Sequence, residues 1–154
     1  MAEHHEEYDY YPEKWIDPFL ARRRKIGLDL YGLLGLKRDN PDGMKAQQAR
    51  NYVYFDAPVG LVFTMDRVMG RGSLLDYGMF MENIMIAACA HGLDTCAQAA
   101  FNQFHKIIAR HLALPSEQKV ICSMALGYAD PDKIENTLQT DRVPVSEFAH
   151  FLND

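Results

Sequence analysis

The sequence contains few cysteines and no pair of cysteines at metal-binding spacing. Its three cysteines, Cys89, Cys96 and Cys122, are an odd number without a C-x-x-C motif. Cys89 and Cys122 lie in apolar runs, where cysteine is typical as a small buried side chain. A disulfide framework is therefore not expected, and the composition favours a reducing, cytoplasmic environment.

Targeting segments and long apolar runs are also missing. The N-terminal stretch MAEHHEEYDYYPEKW is acidic and has no apolar centre, so it does not have the pattern of a signal peptide. The longest uncharged apolar run falls short of a membrane span. With 48% hydrophobic and 24% charged residues, the chain has the composition of a soluble globular domain. No membrane partner is predicted.

Basic residues are scarce and rarely adjacent. The formal net charge is −5, which argues against non-specific binding to nucleic acid because no dense basic face is available to neutralise phosphates. Arg22–Arg24 is the only basic run. It is more typical of the solvated side of a helix than of a phosphate grip, with a dinucleotide partner as the alternative.

The histidines do not form a metal-binding pattern. His4 and His5 are adjacent on a charged terminus, where such a pair is usually solvated. His105 and His111 are six residues apart on a predicted helix and so lie on different faces. No metal site is predicted, and residues 1–11 are expected to be extended or mobile.

The chain is organised around one apolar helix, predicted from Leu74 to Ala90. Ser73 and Asp76 form an S-x-x-D capping box at its start, and Gly92 stands where a left-handed residue ends a helix. The helix has no wide polar face, so it must be enclosed. Its charged and polar interruptions, such as Glu82, favour enclosure by protein rather than lipid.

The helix leads into a connection of small residues, GLDTCAQAA. Small side chains allow the backbone to approach something flat and bulky. The same feature is found more often in tight packing than at a ligand site, so residue type alone leaves both explanations open.

Other elements follow from hydrophobic periodicity. Apolar residues recur at helical spacing from Pro12 to Leu34, with Gly35 ending that helix. Met44–Asn51 is a second, short helix. A third, amphipathic helix is predicted over 101–112, and a last short one over 145–152.

Two segments are predicted as strands. VGLVFTM after Pro58 is rich in β-branched and aromatic residues. Lys119–Tyr128 is apolar on both faces, so it belongs in a sheet that is covered on both sides. Helices and strands in this order predict one domain over residues 1–154, of the α+β class or with a short α/β sheet.

Four segments together resemble the nitroreductase family of FMN-dependent oxidoreductases. They are RNYVYFDAPVGLVFTMD, LLDYGMFMENIMIAACAHGLDTCAQAAF, VICSMALGYADPD and NTLQTDRVPVSEF. They occur in the family's order and spacing and cover nearly all of residues 50–154. The upstream YYPEKWIDPFLARRRKIGLDLY is similar to one subgroup.

The resemblance implies a layered helix–sheet fold that forms homodimers through long helices, with FMN at the dimer interface. It implies reduction of nitroaromatic or quinone-like acceptors, small aromatic molecules that take two electrons from NADH or NADPH. The segment beginning at Cys96, with Ala97, Gln98, Ala99 and Ala100, corresponds to the part that lies against the flavin ring. Arg142, in TDRVP, matches an arginine that holds the FMN phosphate.

No catalytic side chain is predicted, because the flavin carries the redox chemistry. The resemblance also has gaps. The arginine- and serine-rich opening of the family and its proline–serine–asparagine stretch have no counterpart, so the chain is interpreted as N-terminally truncated. Thr140 stands where some members carry a lysine. The alternative function is therefore a flavin-free relative that acts as a dimerising or interaction module.

Overall fold

The structure, a computed structural model, describes residues 4–152. Its helices are α1 (Phe19–Leu33), α2 (Pro41–Ala49), α3 (Arg71–Ala90) and α4 (His105–His111). Its strands are β1 (Val59–Asp66), β2 (Asp94–Gln98) and β3 (Gln118–Gly127). Short 3-10 segments occur at Arg50–Asp56, Asn102–Phe104, Ile134–Thr137 and Val145–Glu147. Residues 1–3 and 153–154 of the predicted domain lie outside the described residues.

The strands form one antiparallel sheet in the order β1-β3-β2. Strand β3 pairs along its length with β1 and near its end with β2, and its register against β1 shifts between Phe63 and Thr64. The strands pair antiparallel but are not joined by hairpins, because helices lie between them along the chain. This is an α+β arrangement. The predicted α+β class is confirmed, whereas the alternative of a short α/β sheet is wrong for the described residues.

The core lies on both faces of β3. Val120, Ile121, Met124 and Ala125 are buried, as the apolar pattern of this strand predicts. On one face Phe63 packs edge-on against Tyr77 of α3, with 6.3 Å between the ring centroids. The hydroxyl of Tyr77 donates to the carbonyl oxygen of Thr64 at 2.7 Å, which fixes α3 to β1.

Helix α3 lies where the apolar helix is predicted but starts earlier. Its N-cap is Gly70 and no side chain caps it, so Ser73 and Asp76 lie inside the helix and the predicted capping box is wrong. Its end is as predicted. Gly92 has a φ of +70°, and the N–H of Leu93 donates back to the carbonyl of Ala88 at 2.9 Å.

The chain alone does not enclose α3. Within the helix only Ala88 is buried, and Leu75, Met79 and Ile86 are 73%, 60% and 59% exposed. These three positions are four and seven residues apart, so they lie on one side of the helix. This apolar α3 face, which also carries the exposed Glu82, is what a second protein surface must cover if the predicted enclosure is to hold.

Several predicted boundaries differ from the structure. Helix α1 begins at Phe19 rather than at Pro12, because Pro18 stands at its N-cap and disfavours a helical residue before it. The predicted helix over 101–112 is divided into a 3-10 turn and the short α4. The last predicted helix is only the 3-10 turn Val145–Glu147, whose following aromatic residues stay exposed and supply no packing.

In the described part of the chain, no helix combines the length and the hydropathy that crossing a bilayer requires.

Candidate functional site

The small-residue connection predicted after α3 is mostly strand β2. Ala97 pairs with Met124 and Gln98 with Ser123 of β3. Because successive side chains of a strand point to opposite faces, Ala97 is exposed whereas Gln98 is only 3% exposed. Ala99 and Ala100, which follow the strand, are half-buried. The predicted contact segment therefore offers a surface of methyl groups and backbone, with one amide turned inward.

The Gln98 side chain is bound to the 3-10 segment Arg50–Asp56. Its Nε2 donates to the backbone oxygen of Asn51 at 3.0 Å and to Asn51 Oδ1 at 3.2 Å. Its Oε1 is buried without a hydrogen-bond partner among the described residues. The side chain thus anchors the backbone of β2 from inside, and any ligand on the outer face would meet Gln98 through its main chain.

Aromatic residues support the same segment from the other end. Gln103 Nε2 donates to the Tyr52 hydroxyl at 2.9 Å and to the Ala100 carbonyl at 3.4 Å. The ring of Tyr54 stacks on Phe101 with centroids 4.8 Å apart and planes 25° apart. Residues 97–100 are therefore held at both ends by the segment 50–56.

The supporting segment is itself strained. Tyr54, Phe55 and Asp56 have φ values of 52°, 53° and 67°, a left-handed conformation that costs an L-residue about 1–2 kcal/mol. Arg50 stabilises it by donating to Asp56 Oδ2 at 3.1 Å and to Glu135 Oε1 at 3.0 Å. Such strain persists only where the surroundings determine the conformation. Here the strained turn carries the Tyr54 ring that stacks on Phe101, next to the candidate segment.

The close approach of Tyr54 to β1 needs a glycine. A Cβ atom on Gly60 would lie 2.4 Å from Cε2 of Tyr54, closer than any side chain tolerates. The bare backbone at Gly60 therefore leaves room for the ring that stacks on Phe101.

Beside this segment lies a cleft with a volume of about 560 Å³. Its walls are the strained turn, the start of β2 with Cys96 and the end of β3 with Tyr128. Desolvation, and to a smaller extent Cys122, raises the pKa of the Cys96 thiol. A raised pKa keeps the Cys96 thiol protonated at neutral pH and lowers its reactivity as a nucleophile.

Arg142 lies on the exposed C-terminal arm. Its Nη1 donates to the backbone oxygens of Thr140 and Asp141, each at 3.2 Å, and to the Thr140 hydroxyl. Within the described part of the chain, none of these hydrogen bonds reaches residues 97–100. The two halves of the predicted cofactor site are thus not joined by a direct bond within one subunit.

A buried polar cluster on the N-terminal segment was not predicted. The Tyr8 hydroxyl donates to the Ile121 carbonyl and accepts from Asn102 Nδ2 at 3.0 Å. Burial is the main cause that raises the pKa of Tyr8 to about 12. Residues 4–11 thus contact the sheet at this point, and the mobility expected for residues 1–11 stays a prediction for the rest of that stretch.

The same segment forms an ion-paired group with α4. Glu7 contacts Arg67, and its Oε2 lies 3.2 Å from Nδ1 of His105. Burial lowers the pKa of His105, and the charge of Glu7 opposes that shift. The buried Glu7 Oε2 and His105 Nε2 have no hydrogen-bond partner among the described residues. No group of three metal-ligating side chains occurs in residues 4–152.

Comparison with known proteins identifies the family. A model of the nitroreductase family matches residues 3–128. The chain is 38% identical over 148 residues to a chloronitrobenzene nitroreductase of Comamonas testosteroni and 36% identical over 148 residues to a nitrobenzene nitroreductase of Ectopseudomonas oleovorans. These matches cover 96% of this chain and 65% of each relative. The chain therefore spans about two thirds of the length of these relatives.

A solved structure gives the same result. The FMN and NADPH-dependent nitroreductase NfnB from Sphigopyxis sp. strain HMH superposes with a TM-score of 0.93 at 33% identity, over 97% of this chain and 67% of that one. NfnB from Mycobacterium smegmatis, solved in complex with NADPH, matches at 23% identity with a TM-score of 0.88, which supports the fold. The chain belongs to the nitroreductase family.

Proposed function

We propose that this protein is an FMN-dependent oxidoreductase that reduces nitroaromatic or quinone-like acceptors by two electrons, with NADH or NADPH as donor. The observation that carries the proposal is the segment Ala97–Ala100, in which Ala97 is exposed and Ala99 and Ala100 are half-buried, while hydrogen bonds from Gln98 and Gln103 hold its two ends. The relatives support the reaction class, since they include nitroreductases of chloronitrobenzene and nitrobenzene.

The residues present fit a flavin. The methyl group of Ala97 is exposed, and Ala99 and Ala100 are half-buried, so a flat ring can lie close to the main chain there. Among residues 4–152, Arg142 donates hydrogen bonds from Nη1 alone. Its Nη2 and Nε remain to grip a phosphate through a planar fork.

FMN, when bound, supplies the hydride chemistry, and the chain supplies binding and orientation. Ala97, Ala99 and Ala100 would shape the surface for the ring, Gln98 would contribute its backbone, and Arg142 would hold the phosphate. No side chain of the site needs to act as a nucleophile. The raised pKa of Cys96 agrees with this division.

We further propose a homodimer that buries the apolar α3 face and completes the cofactor site. Leu75, Met79 and Ile86 are apolar and exposed on a side of the helix that also carries the exposed Glu82, and a second copy can cover this side. In the dimer, residues of the second subunit would also lie next to the segment Ala97–Ala100. A cytoplasmic location is supported by the three cysteines, which are all free.

The same exposed side of α3 favours the alternative function, a flavin-free dimerising or interaction module. Arg142 is the single cation predicted at the phosphate, because Thr140 stands where some relatives carry a lysine. A phosphate carries nearly two negative charges at neutral pH, so one arginine is a weak anchor unless a second subunit or further chain adds donors.

Titration of the purified chain with FMN separates the two functions. For the enzyme we expect saturable binding near one FMN per chain, a yellow colour that survives gel filtration, and oxidation of NADH or NADPH that depends on an added nitroaromatic. A chain that stays colourless at excess FMN, while still dimerising, would support the interaction module and reject the enzyme.

A further inference from the structure

The concave surface between α1 and the start of α2 is basic, although the chain is acidic overall. It encloses a groove of about 740 Å³. Four of the described residues that line it are cations, Arg23, Arg24, Lys37 and Arg38, and none is acidic. This α1–α2 groove contains two of the three arginines of the basic run 22–24. It therefore concentrates positive charge in a chain whose net charge is −5.

The groove cations are not neutralised by neighbouring carboxylates. Within residues 4–152, no ion pair involves any of the four. Lys25 shows the contrast, because it lies 2.6 Å from Asp29 Oδ2 and 3.5 Å from Asp141 Oδ2. Arg23 lies over the ring of Trp15, 4.7 Å from its centroid. This contact positions the guanidinium without neutralising its charge. An anion in the groove would relieve the mutual repulsion of these cations.

The floor of the groove is open and apolar. A Cβ atom added to Gly27 or Gly32 would meet nothing within 4 Å, so both glycines leave free space. Leu20, Tyr31 and Leu36 are half-buried beside them. The volume lies within the range of about 300–1,000 Å³ that is usual for small-molecule sites. The groove thus suits a ligand with an anionic group and a flat, weakly polar body.

We propose that the α1–α2 groove binds the adenosine half of the nicotinamide donor, with the 2′-phosphate of NADPH among the four cations. An arginine fork matches a phosphate through paired hydrogen bonds, and the apolar floor accepts the base. The choice of a dinucleotide rests on the proposed function. Under this proposal the protein prefers NADPH to NADH, because NADH lacks the group that the cations hold.

The position of α1 agrees with such a site. Lys25 joins α1 to Asp141, the residue before Arg142, so the groove helix is bound to the arm that is proposed to hold the FMN phosphate. Lys25 is not among the groove-lining residues, so this contact lies on another side of α1, and a donor in the groove would share the helix and not the contact surface with the arm.

The test is a calorimetric titration of the full chain with 2′,5′-ADP and with 5′-AMP, which differ only in the 2′-phosphate. We expect 2′,5′-ADP to bind at least about tenfold more tightly. Arg24→Gln should weaken 2′,5′-ADP about tenfold and leave 5′-AMP nearly unchanged. Arg22→Gln is the matched control. It removes the same charge from the same helix outside the groove, where Arg22 lies 6.0 Å from the centroid of Phe19, and should have little effect.

Three results would overturn the proposal: no saturable binding of 2′,5′-ADP, equal weakening by the Arg22 and Arg24 variants, or inorganic phosphate binding as tightly as 2′,5′-ADP. The last two would mean a diffuse or unspecific anion effect on a solvated helix. The readout needs neither flavin nor turnover. A chain that binds 2′,5′-ADP but not FMN would reject the proposed enzyme and keep the groove, and the reverse result would reject the groove alone.

Discussion

Gln98 and Asn51 are joined by two hydrogen bonds from a single amide group, across 47 residues of chain. Gln98 Nε2 lies 3.0 Å from the backbone oxygen of Asn51 and 3.2 Å from its Oδ1. The bonds fix the end of β2 to a turn with a strained, left-handed backbone. The candidate flavin-contact segment is therefore rigid before any ligand arrives, which lowers the entropy cost of binding a flat ring.

Gln98→Glu should show how much the site depends on this contact. The new carboxylate would be buried and would face two acceptor oxygens, so we expect a loss of more than about 2 kcal/mol in unfolding free energy at neutral pH. Protonation removes the repulsion, and the loss should be smaller at about pH 5 than at about pH 7.5. Urea unfolding at the two pH values measures both effects.

Gln103→Glu is the matched control for that variant. Gln103 is less buried, and its partner Tyr52 has a hydroxyl that can turn and donate to a carboxylate. Gln103→Glu should lower the unfolding free energy by less than about 1 kcal/mol. Equal losses for the two variants would mean that the pairing of Gln98 with Asn51 is not special.

Tyr8→Phe should destabilise the fold by about 1–3 kcal/mol. The change leaves Asn102 Nδ2 and the Ile121 carbonyl without their partner in a buried place. Tyr128→Phe, at a site 78% exposed, should change stability by less than about 0.5 kcal/mol. In an alkaline ultraviolet titration, the variant should lose the phenol whose pKa is about 12. If Tyr8→Phe costs no more than Tyr128→Phe, the N-terminal segment is not docked as described.

His105 should make the protein less stable in mild acid. Burial lowers its pKa below the ordinary 6.5, so the folded state favours the neutral ring. The stability this contributes is present above about pH 6.5 and is lost as pH falls through the lowered folded-state pKa. The groups that face it are Glu7, which opposes the shift, and His5, Lys106 and Arg67, which add to it.

Urea midpoints at about pH 7.5 and about pH 5 measure this dependence. His105→Gln keeps an N–H for Glu7 but cannot titrate, so it should lose less stability on acidification than the unaltered protein. His111→Gln, on an exposed residue of the same helix, should behave as the unaltered protein does. An equal acid response in all three would exclude His105 as the sensitive group.

Met79→Glu should dissociate the proposed homodimer. The new carboxylate would have to be desolvated without a cation, and it would lie three residues before the exposed Glu82 on the same side of the helix, so two like charges would face the partner. Sedimentation velocity should show a dimer for the unaltered chain and a monomer for the variant. Val68→Glu, in the loop before α3 and 83% exposed, should remain dimeric. An unaltered chain that sediments as a monomer at every concentration would contradict the dimer.

Arg142→Gln should weaken FMN binding about tenfold or more, since it removes a charge-assisted contact to phosphate. Riboflavin, which has no phosphate, should bind both forms alike, and fluorescence titration with the two flavins measures the difference. Arg110→Gln, an exposed arginine at the end of α4, serves as the charge control. Equal losses for FMN and riboflavin would place Arg142 away from the phosphate.

Local patterns of sequence predicted the elements that depend on residue type. The apolar run of α3, the left-handed Gly92 after it, and the two long strands follow from periodicity and from backbone preference. The failures have local causes too. Ser73 and Asp76 match a capping pattern, but the helix extends past them to Arg71 because Gly70 already ends the preceding loop.

The small residues of 93–100 form a strand rather than the irregular connection that the sequence predicted, and the reason is different. They are poor strand formers, and a loop is the ordinary interpretation. They become a strand because β3, a buried and highly apolar strand, offers an edge whose N–H and C=O groups must be paired. Tertiary context thus overrides local preference at the segment on which the proposed function depends.

The sequence by itself determined the family, the apolar central helix, the α+β class and the acidic balance of this protein, because each is encoded in runs or ordered segments of the chain. Only the tertiary structure decided that Gln98 points inward to Asn51, that Tyr8 and Glu7 are docked on the sheet and α4, and that Arg23 and Arg24 share a groove with Lys37 and Arg38. Those pairings join residues that are tens of positions apart, or they distribute one run over two faces of a helix. No local pattern of side chains specifies which distant partner a polar group will contact.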